Sequence, residues 1–398
     1  MPPRKPALGF IFVTLVLDIL GVGLVVPILP KLIEHFQGGD AGAASVTNGA
    51  LLSVYALMQF LFAPLLGSLS DRYGRRPVIL FSLLGSGLDY FVLAMAPSLG
   101  WFFFGRIVSG ITGANFGTAT AYIADISPPE KRAQNFGMVG AAFGLGFIIG
   151  PAVGGYLGKF GLHVPFYAAG ILTLINWLYG LFVLPESVTD ATRGTFSWQK
   201  SNPVGAMRYL VTHPALFGLA TTYFLLALAQ QVYPSTWALY SSERYQWDTV
   251  AIGNSLMMVG ICAALVQGGL TRKIVPRIGE PAAIMLGVCA STAAFVGYGL
   301  APQGWMIYPL IIVGSLGGIT IPAVQSLISK AVDPSEQGSV QGSLTSLQSV
   351  ASVVGPLIAT QLFQFFLHVA PGAAFFFSAL MCVLAALLSR RFFARVPR

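Results

Sequence analysis

The sequence predicts an all-α integral membrane protein, with twelve transmembrane helices in two pseudo-symmetric six-helix bundles. Three observations predict it. Of the 398 residues, 55% are hydrophobic and only 9% are charged, whereas a soluble domain carries about 25% charged residues because its surface faces water. The Lys and Arg residues fall on one side of alternate apolar segments. The chain also repeats itself at an offset of 205 residues.

A hydrocarbon core takes roughly 20 apolar residues per helix. Breaks at Pro, Gly and charge clusters place the first six spans at 10–34, 49–69, 77–97, 100–125, 135–158 and 164–184. The more polar stretch 185–210 reads as a cytoplasmic linker. The remaining spans are expected at 211–240, 249–271, 281–301, 304–330, 336–366 and 371–390. This divides the chain into an N-terminal bundle (1–184), the linker (185–210) and a C-terminal bundle (211–398). With both termini cytoplasmic, 18 of the 22 Lys and Arg residues lie inside. Lys31, Lys159 and Arg244 lie outside, and Arg106 falls within a span. That is the bias positive-inside insertion produces, and an odd number of spans would scramble it. The expected location is the inner, cytoplasmic membrane. The first apolar run contains Asp18 and lacks a convincing cleavage site, so it reads as a retained span rather than a removed signal.

Loop bias accounts for the net charge of +8. No basic helix or aromatic platform supports nucleic-acid binding. Cys262, Cys289 and Cys382 lie inside predicted spans, where small apolar packing is the ordinary role. They show no metal or redox spacing. A membrane enzyme or ATP-driven pump is disfavoured: the chain has no H-E-x-x-H pair, no G-x-S-x-G elbow and no G-x-x-x-x-G-K-[ST] loop.

The repeat aligns several features. Gly74 and Arg72 meet Gly279 and Arg277, Gly137 meets Gly342, and Gly150-Pro151 meets Gly355-Pro356. "GIT" recurs at 110–112 and 318–320, three residues out of step. Duplicated bundles of this kind place a substrate site between the halves near the midplane and rock to expose it alternately.

Ionisable groups inside spans are costly, roughly 2.5–3.5 kcal/mol each on insertion scales, and usually face a cavity or a partner. Asp18, Asp89 and Arg106 are the three clear cases, all in the N-terminal half. A carboxylate in a cavity gains proton affinity and a nearby cation lowers it, so these three are the proton-coupling candidates. The alternative for each aspartate is a structural hydrogen-bonding group, and for Arg106 it is lipid snorkelling. His35, His163, His213 and His368 sit at span ends. Amides and aromatics suit a moderately lipophilic substrate. The cavity candidates are Tyr55, Gln59 and Asn115 in the first half, and Gln230, Gln231, Tyr233, Trp237, Ser291, Gln325 and Gln348 in the second. Helix–helix hydrogen bonding remains the alternative for each.

Several motifs carry a family resemblance over nearly the whole chain. "LDILGVGLVVPILP" (17–30), "GSLSDRYGRR" (67–76), "GRIVSGITGA" (105–114) and "GLGFIIGPAVGG" (144–155) occur in order at the matching spans. The chain resembles major facilitator superfamily transporters, and within them the tetracycline/H⁺ antiporters and related twelve-span drug exporters. The resemblance implies proton-coupled efflux of drugs or other small amphiphilic compounds. The alternative is a facilitator or uptake carrier for a small polar metabolite. No cofactor is expected beyond the proton gradient. The partners are substrate, protons and lipid, and a monomer is expected.

The resemblance also assigns roles. Gly67, Asp71, Arg72, Gly74, Arg75 and Arg76 form the superfamily's loop between spans two and three, a cytoplasmic gate. There Asp71 would cap span 11, and an arginine would pair with Asp125. In the second half the turn is expected to persist without the latch, because Asp71 meets Pro276 and Arg76 meets Pro281. Gly144, Gly150, Pro151 and Gly154 form the antiporter motif of span five, expected opposite span 11. One departure matters. The ninth-span aspartate of the tetracycline antiporters falls at Ser291, and their eighth-span histidine falls at Ala263. Both changes argue against a metal–tetracycline chelate as cargo and move proton coupling to the N-terminal half.

Overall fold

The computed structural model describes residues 8–113, 115–128, 131–188, 214–333 and 336–393, and every regular element among them is helical. The first half contains Leu8–Val25 (α1), Leu29–Phe36 (α2), Ala41–Tyr73 (α3), Arg75–Ala94 (α4), Leu99–Thr112 (α5), Asn115–Ile126 (α6), Arg132–Leu157 (α7) and Val164–Val183 (α8). The second half contains Pro214–Gln230 (α9), Val232–Tyr245 (α10), Thr249–Leu265 (α11), Thr271–Ile278 (α12), Glu280–Leu300 (α13), Ile307–Ser315 (α14), Thr320–Lys330 (α15), Gln337–Phe366 (α16) and Ala373–Phe393 (α17). Residues 189–210 of the expected linker, and 211–213 of the span after it, lie outside the described residues.

Among the described residues, eleven segments are long and apolar enough to cross a membrane. The fourth expected span is present as α5 and α6. They have 14 and 12 residues, and residue 114 between them lies outside the described residues. Span eight loosens into a π-turn at Val266–Leu270, and span ten tightens into a 3₁₀ turn at Leu316–Ile319. Large apolar side chains cover the outside as well as the core: Phe365 is 80% exposed. Helices that are apolar all round suit a lipid surround, where tails replace water.

The chain forms two compact units. The first comprises Met1–Phe36, Val54–Asn202 and Thr249–Met257. The second comprises Gln37–Ser53, Pro203–Asp248 and Met258–Arg398. The first unit's core joins Ile11, Leu15 and Ile19 of α1 to Ile79 and Leu83 of α4, Tyr122 and Ile123 of α6, and Ala142 of α7. The second unit is organised around aromatic side chains. Trp237, Tyr298 and Phe375 meet edge to face, with ring centroids 5.2 to 6.0 Å apart, the geometry that ring quadrupoles favour. The outer part of α3 belongs to this unit, where Asn48 donates to the Ser235 carbonyl at 2.8 Å and Ser53 to that of Val353 at 2.6 Å.

The internal repeat survives in the backbone. Gly74 and Gly279, 205 residues apart, both take positive φ, 107° and 79°, directly before α4 and α13. Only glycine enters that region without steric cost. Pro151 and Pro356 both lie inside helices, α7 and α16.

Candidate functional site

Three helices of the first unit meet at one ion pair. Asp89 of α4 is 3% exposed. Arg106 of α5 donates to its Oδ2 at 3.0 Å. Ser109, one turn further along α5, donates to the same oxygen. The other oxygen, Oδ1, has no hydrogen-bond partner among the described residues. It lies where a side chain on Gly105 would sit, 2.2 Å from that glycine's absent Cβ. The α4 and α5 backbones therefore approach closely because position 105 carries no side chain.

The third helix is α3. Arg106 stands over the Tyr55 ring, 5.6 Å from its centroid, a cation–π contact. Gln59 donates to the Gly113 carbonyl at 2.9 Å and to the Tyr55 hydroxyl at 3.4 Å, which engages the end of α5. Asp18, half-buried on α1, acts electrostatically on Tyr55 and Tyr90 together with Asp89 and Arg106. The three intramembrane ionisable residues picked out from the sequence thus converge on one site.

The span-five motif packs against a neighbour in its own unit. A Cβ on Gly150 would fall 2.7 Å from the Gly23 Cα, and one on Gly154 would fall 2.1 Å from the Leu24 carbonyl oxygen. The face expected opposite span 11 is thus closed against α1. Gly146 belongs to this stripe and meets Ile19. Gly144 is half-buried one turn off it. Small residues at four-residue spacing let two backbones touch. Pro151 joins the crossing, its Cδ 3.1 Å from where a Cβ on Gly23 would sit.

At the loop between spans two and three, Arg75 is the centre. Its guanidinium meets Asp71 at 2.5 Å, Asp125 at 3.1 Å and the Ser70 hydroxyl at 2.7 Å. Arg76 donates to the Leu181 carbonyl at 2.6 Å, and Arg72 stacks on Tyr73. Gly67 has open space where a side chain would project, so its neighbours give no packing reason for glycine there. Glu186, just beyond α8, accepts the amide hydrogens of Arg75 and Arg76 at 2.9 and 3.1 Å, and those of Ser187 and Val188 at 2.9 and 3.1 Å. The first amides of a helix have no partner of their own, so this carboxylate caps α4 from more than a hundred residues away. A Cβ on Gly74 would fall 2.3 Å from its Oε2.

The second half has not lost its ion pair. Lys330 at the end of α15 bonds Glu280 at the start of α13. At the 205-residue offset Arg75 matches Glu280 and Asp125 matches Lys330. The pair persists with both signs reversed, which a comparison of Asp71 and Arg76 alone does not reveal.

The expected cavity residues of the second half divide. Gln231 donates to the Ser352 hydroxyl at 3.2 Å and Gln325 to that of Tyr223 at 3.4 Å. Gln230 and Gln348 are half-buried. Tyr233 stacks on Phe295 and Trp237. Trp237 is 2% exposed inside the aromatic cluster, and Ser291, 4% exposed, packs on Gly317. Both lie in the core of the second unit. The side chain of Asn115 lies outside the described residues. Sequence reasoning missed Ser109, Gly105, Glu186 and the Glu280–Lys330 pair. A search for every Asp and Glu at the repeat offset would have found the last.

The chain matches the Major Facilitator Superfamily over residues 11–356. It is 43% identical over 357 residues to the class C tetracycline resistance protein of Escherichia coli, covering 90% of this chain and 89% of that one. The class G tetracycline resistance protein of Vibrio anguillarum is 40% identical over 348 residues, 87% and 88% of the two chains. Among solved structures, the human organic anion transporter MFSD10 superposes with a TM-score of 0.73 at 25% identity, over 98% of this chain and all of the other.

Proposed function

We propose that this chain, which belongs to the major facilitator superfamily, is a secondary transporter that exports small amphiphilic drugs in exchange for protons. The observation that carries the reading is the buried Asp89–Arg106 pair inside membrane-spanning helices. Replacing a buried ion pair by apolar residues is often neutral or stabilising, so fold stability alone is a poor reason to keep one. Asp18, Asp89 and Arg106 form the coupling site. Asp71, Arg72, Gly74, Arg75, Arg76 and Asp125, held by Glu186, form a cytoplasmic gate that opens and closes with each cycle. The driving force is the proton gradient, and no cofactor takes part. The protein works as a monomer in the cytoplasmic membrane with both termini inside.

Relatives named for tetracycline resistance make tetracycline the first probe. Ala263 and Ser291 offer neither an imidazole nor a carboxylate, so the free drug rather than its metal chelate is the expected cargo. In everted vesicles with an imposed pH gradient, tetracycline accumulates, a protonophore abolishes the accumulation, and Asp18→Asn and Asp89→Asn each lose it. Accumulation indifferent to the protonophore, or normal transport by both variants, overturns the reading.

A further inference from the structure

The two oxygens of Asp89 are treated unequally. Arg106 and Ser109 stand three residues apart on α5, hence on one helix face, and both donate to Oδ2. Oδ1 faces the gap left by Gly105 and has no partner among the described residues. Ser109 is itself buried, and its hydroxyl is the one neutral donor to this carboxylate.

We propose that Ser109 is a positioning residue for proton transfer at Asp89: with Arg106 it holds Oδ2, so that the proton enters and leaves on Oδ1. The proposal rests on the reading of Asp89 as a proton carrier. On loading, a proton from the aqueous side bonds to Oδ1 and the negative charge is cancelled. The O–H bond of the delivering hydronium breaks and leaves water, while Ser109 and Arg106 go on donating to Oδ2, now a carbonyl oxygen. A hydrogen bond to the charged form favours that form, so the Ser109 hydroxyl eases proton release. It also fixes the carboxylate plane, and Oδ1 cannot swing towards the arginine.

The other groups acting here are accounted for. Asp18 of α1, Tyr55 of α3 and Tyr90 of α4 share the electrostatics of Asp89 and Arg106. Of the remaining helices on α4, α8 carries Tyr167 and Tyr179 and no charged residue, and α6 carries Tyr122 and Asp125. Asp125 is engaged by Arg75 and Ser187 in the last turn of α6. None of these changes when the Ser109 hydroxyl is removed.

The test is an infrared titration of the full-length protein in liposomes. It follows the carbonyl stretch of protonated Asp89, assigned by its loss in Asp89→Asn. In Ser109→Ala the midpoint moves to higher pH by about one unit, a tenfold gain in proton affinity. In Ser109→Thr, which keeps the hydroxyl, it stays near that of the parent. An unmoved midpoint in Ser109→Ala overturns the proposal, and so does a Thr variant that shifts as far as the Ala variant. Proton-driven tetracycline accumulation by Asp89→Asn is scored separately. If it persists, the coupling reading fails, while the titration still decides whether Ser109 positions the carboxylate.

Discussion

The contact between α4 and α5 and the contact between α13 and α14 descend from one duplicated unit, and only the first carries charge. Asp89 matches Ala294 at the 205-residue offset. Arg106 and Ser109, with the three-residue slip of the "GIT" repeat, match Gly314 and Gly317. A Cβ on Gly314 would meet the Ala294 Cβ at 2.8 Å, so the matched positions touch in the second unit as they do in the first. A similar contact recurs out of register: Thr112 packs on Gly85, and its partner Thr320 packs on Gly287, three residues before Ala290, the match of Gly85. The packing frame is therefore common to both copies and needs no charge. The buried Asp89–Arg106 pair is thus carried by a contact whose counterpart packs without one.

The largest effect should come from breaking that asymmetry. Asp89→Leu leaves the Arg106 guanidinium buried without its partner, a loss of about 3–5 kcal/mol, and abolishes proton-driven transport. Adding Arg106→Met should restore most of the thermal stability and none of the transport. Ala294→Leu in the matched position should cost only the overpacking, about 1–3 kcal/mol, and keep proton dependence. Thermal unfolding and vesicle accumulation on the same preparations separate the two. If the double variant transports, the pair is structural.

A smaller effect sharpens the same contrast. Gly105→Ala puts a methyl group 2.2 Å from Asp89 Oδ1 and should cost about 1–3 kcal/mol while shifting the pH profile of transport. Gly314→Ala meets the Ala294 methyl at 2.8 Å and, further off, the hydroxyls of Tyr298 and Tyr233, and should lower the melting temperature with the pH profile unchanged. Equal pH profiles in the two variants would contradict the assignment.

At the cytoplasmic loops the effects shrink further. Glu186→Ala removes the acceptor for two amides of α4 and should cost about 1 kcal/mol, as lost helix caps do, measured by denaturation. Charge reversal compares the two ion pairs directly. Arg75→Glu with Asp125→Arg, and Glu280→Lys with Lys330→Glu, should each recover part of the loss seen in the single variants. Double-mutant cycles should read about 0.2–1 kcal/mol. The second pair belongs at the low end because Lys330 is 64% exposed. A larger coupling at Glu280–Lys330 than at Arg75–Asp125 would place the stronger latch in the second half.

Much of the site was legible before any coordinates. Asp18, Asp89 and Arg106 stand out because a charge in an apolar run has an energetic cost that composition exposes. Gly74, Gly279, Pro151 and Pro356 mark the repeat because backbone requirements leave few residue choices. Ser109, Gly105 and Glu186 were not legible. A serine or glycine in a span has a bland meaning at nearly every position, and Glu186 acts on amides 111 and 110 residues earlier. That Trp237 and Ser291 are covered within their own unit was not legible for a related reason. Polarity and helix membership say nothing about which face of a span is covered.

The sequence by itself determined that this chain lives in a membrane, how its segments alternate, that it is duplicated and where its costly charges lie. Each of these follows from transfer free energies and local backbone limits, which act residue by residue. Only the tertiary structure decided which of those charges meet. It left one oxygen of Asp89 free, closed the glycine stripe of α7 on α1, and kept the second ion pair with its signs reversed. Those outcomes depend on which faces of distant helices come together, and a helix alone does not carry that information.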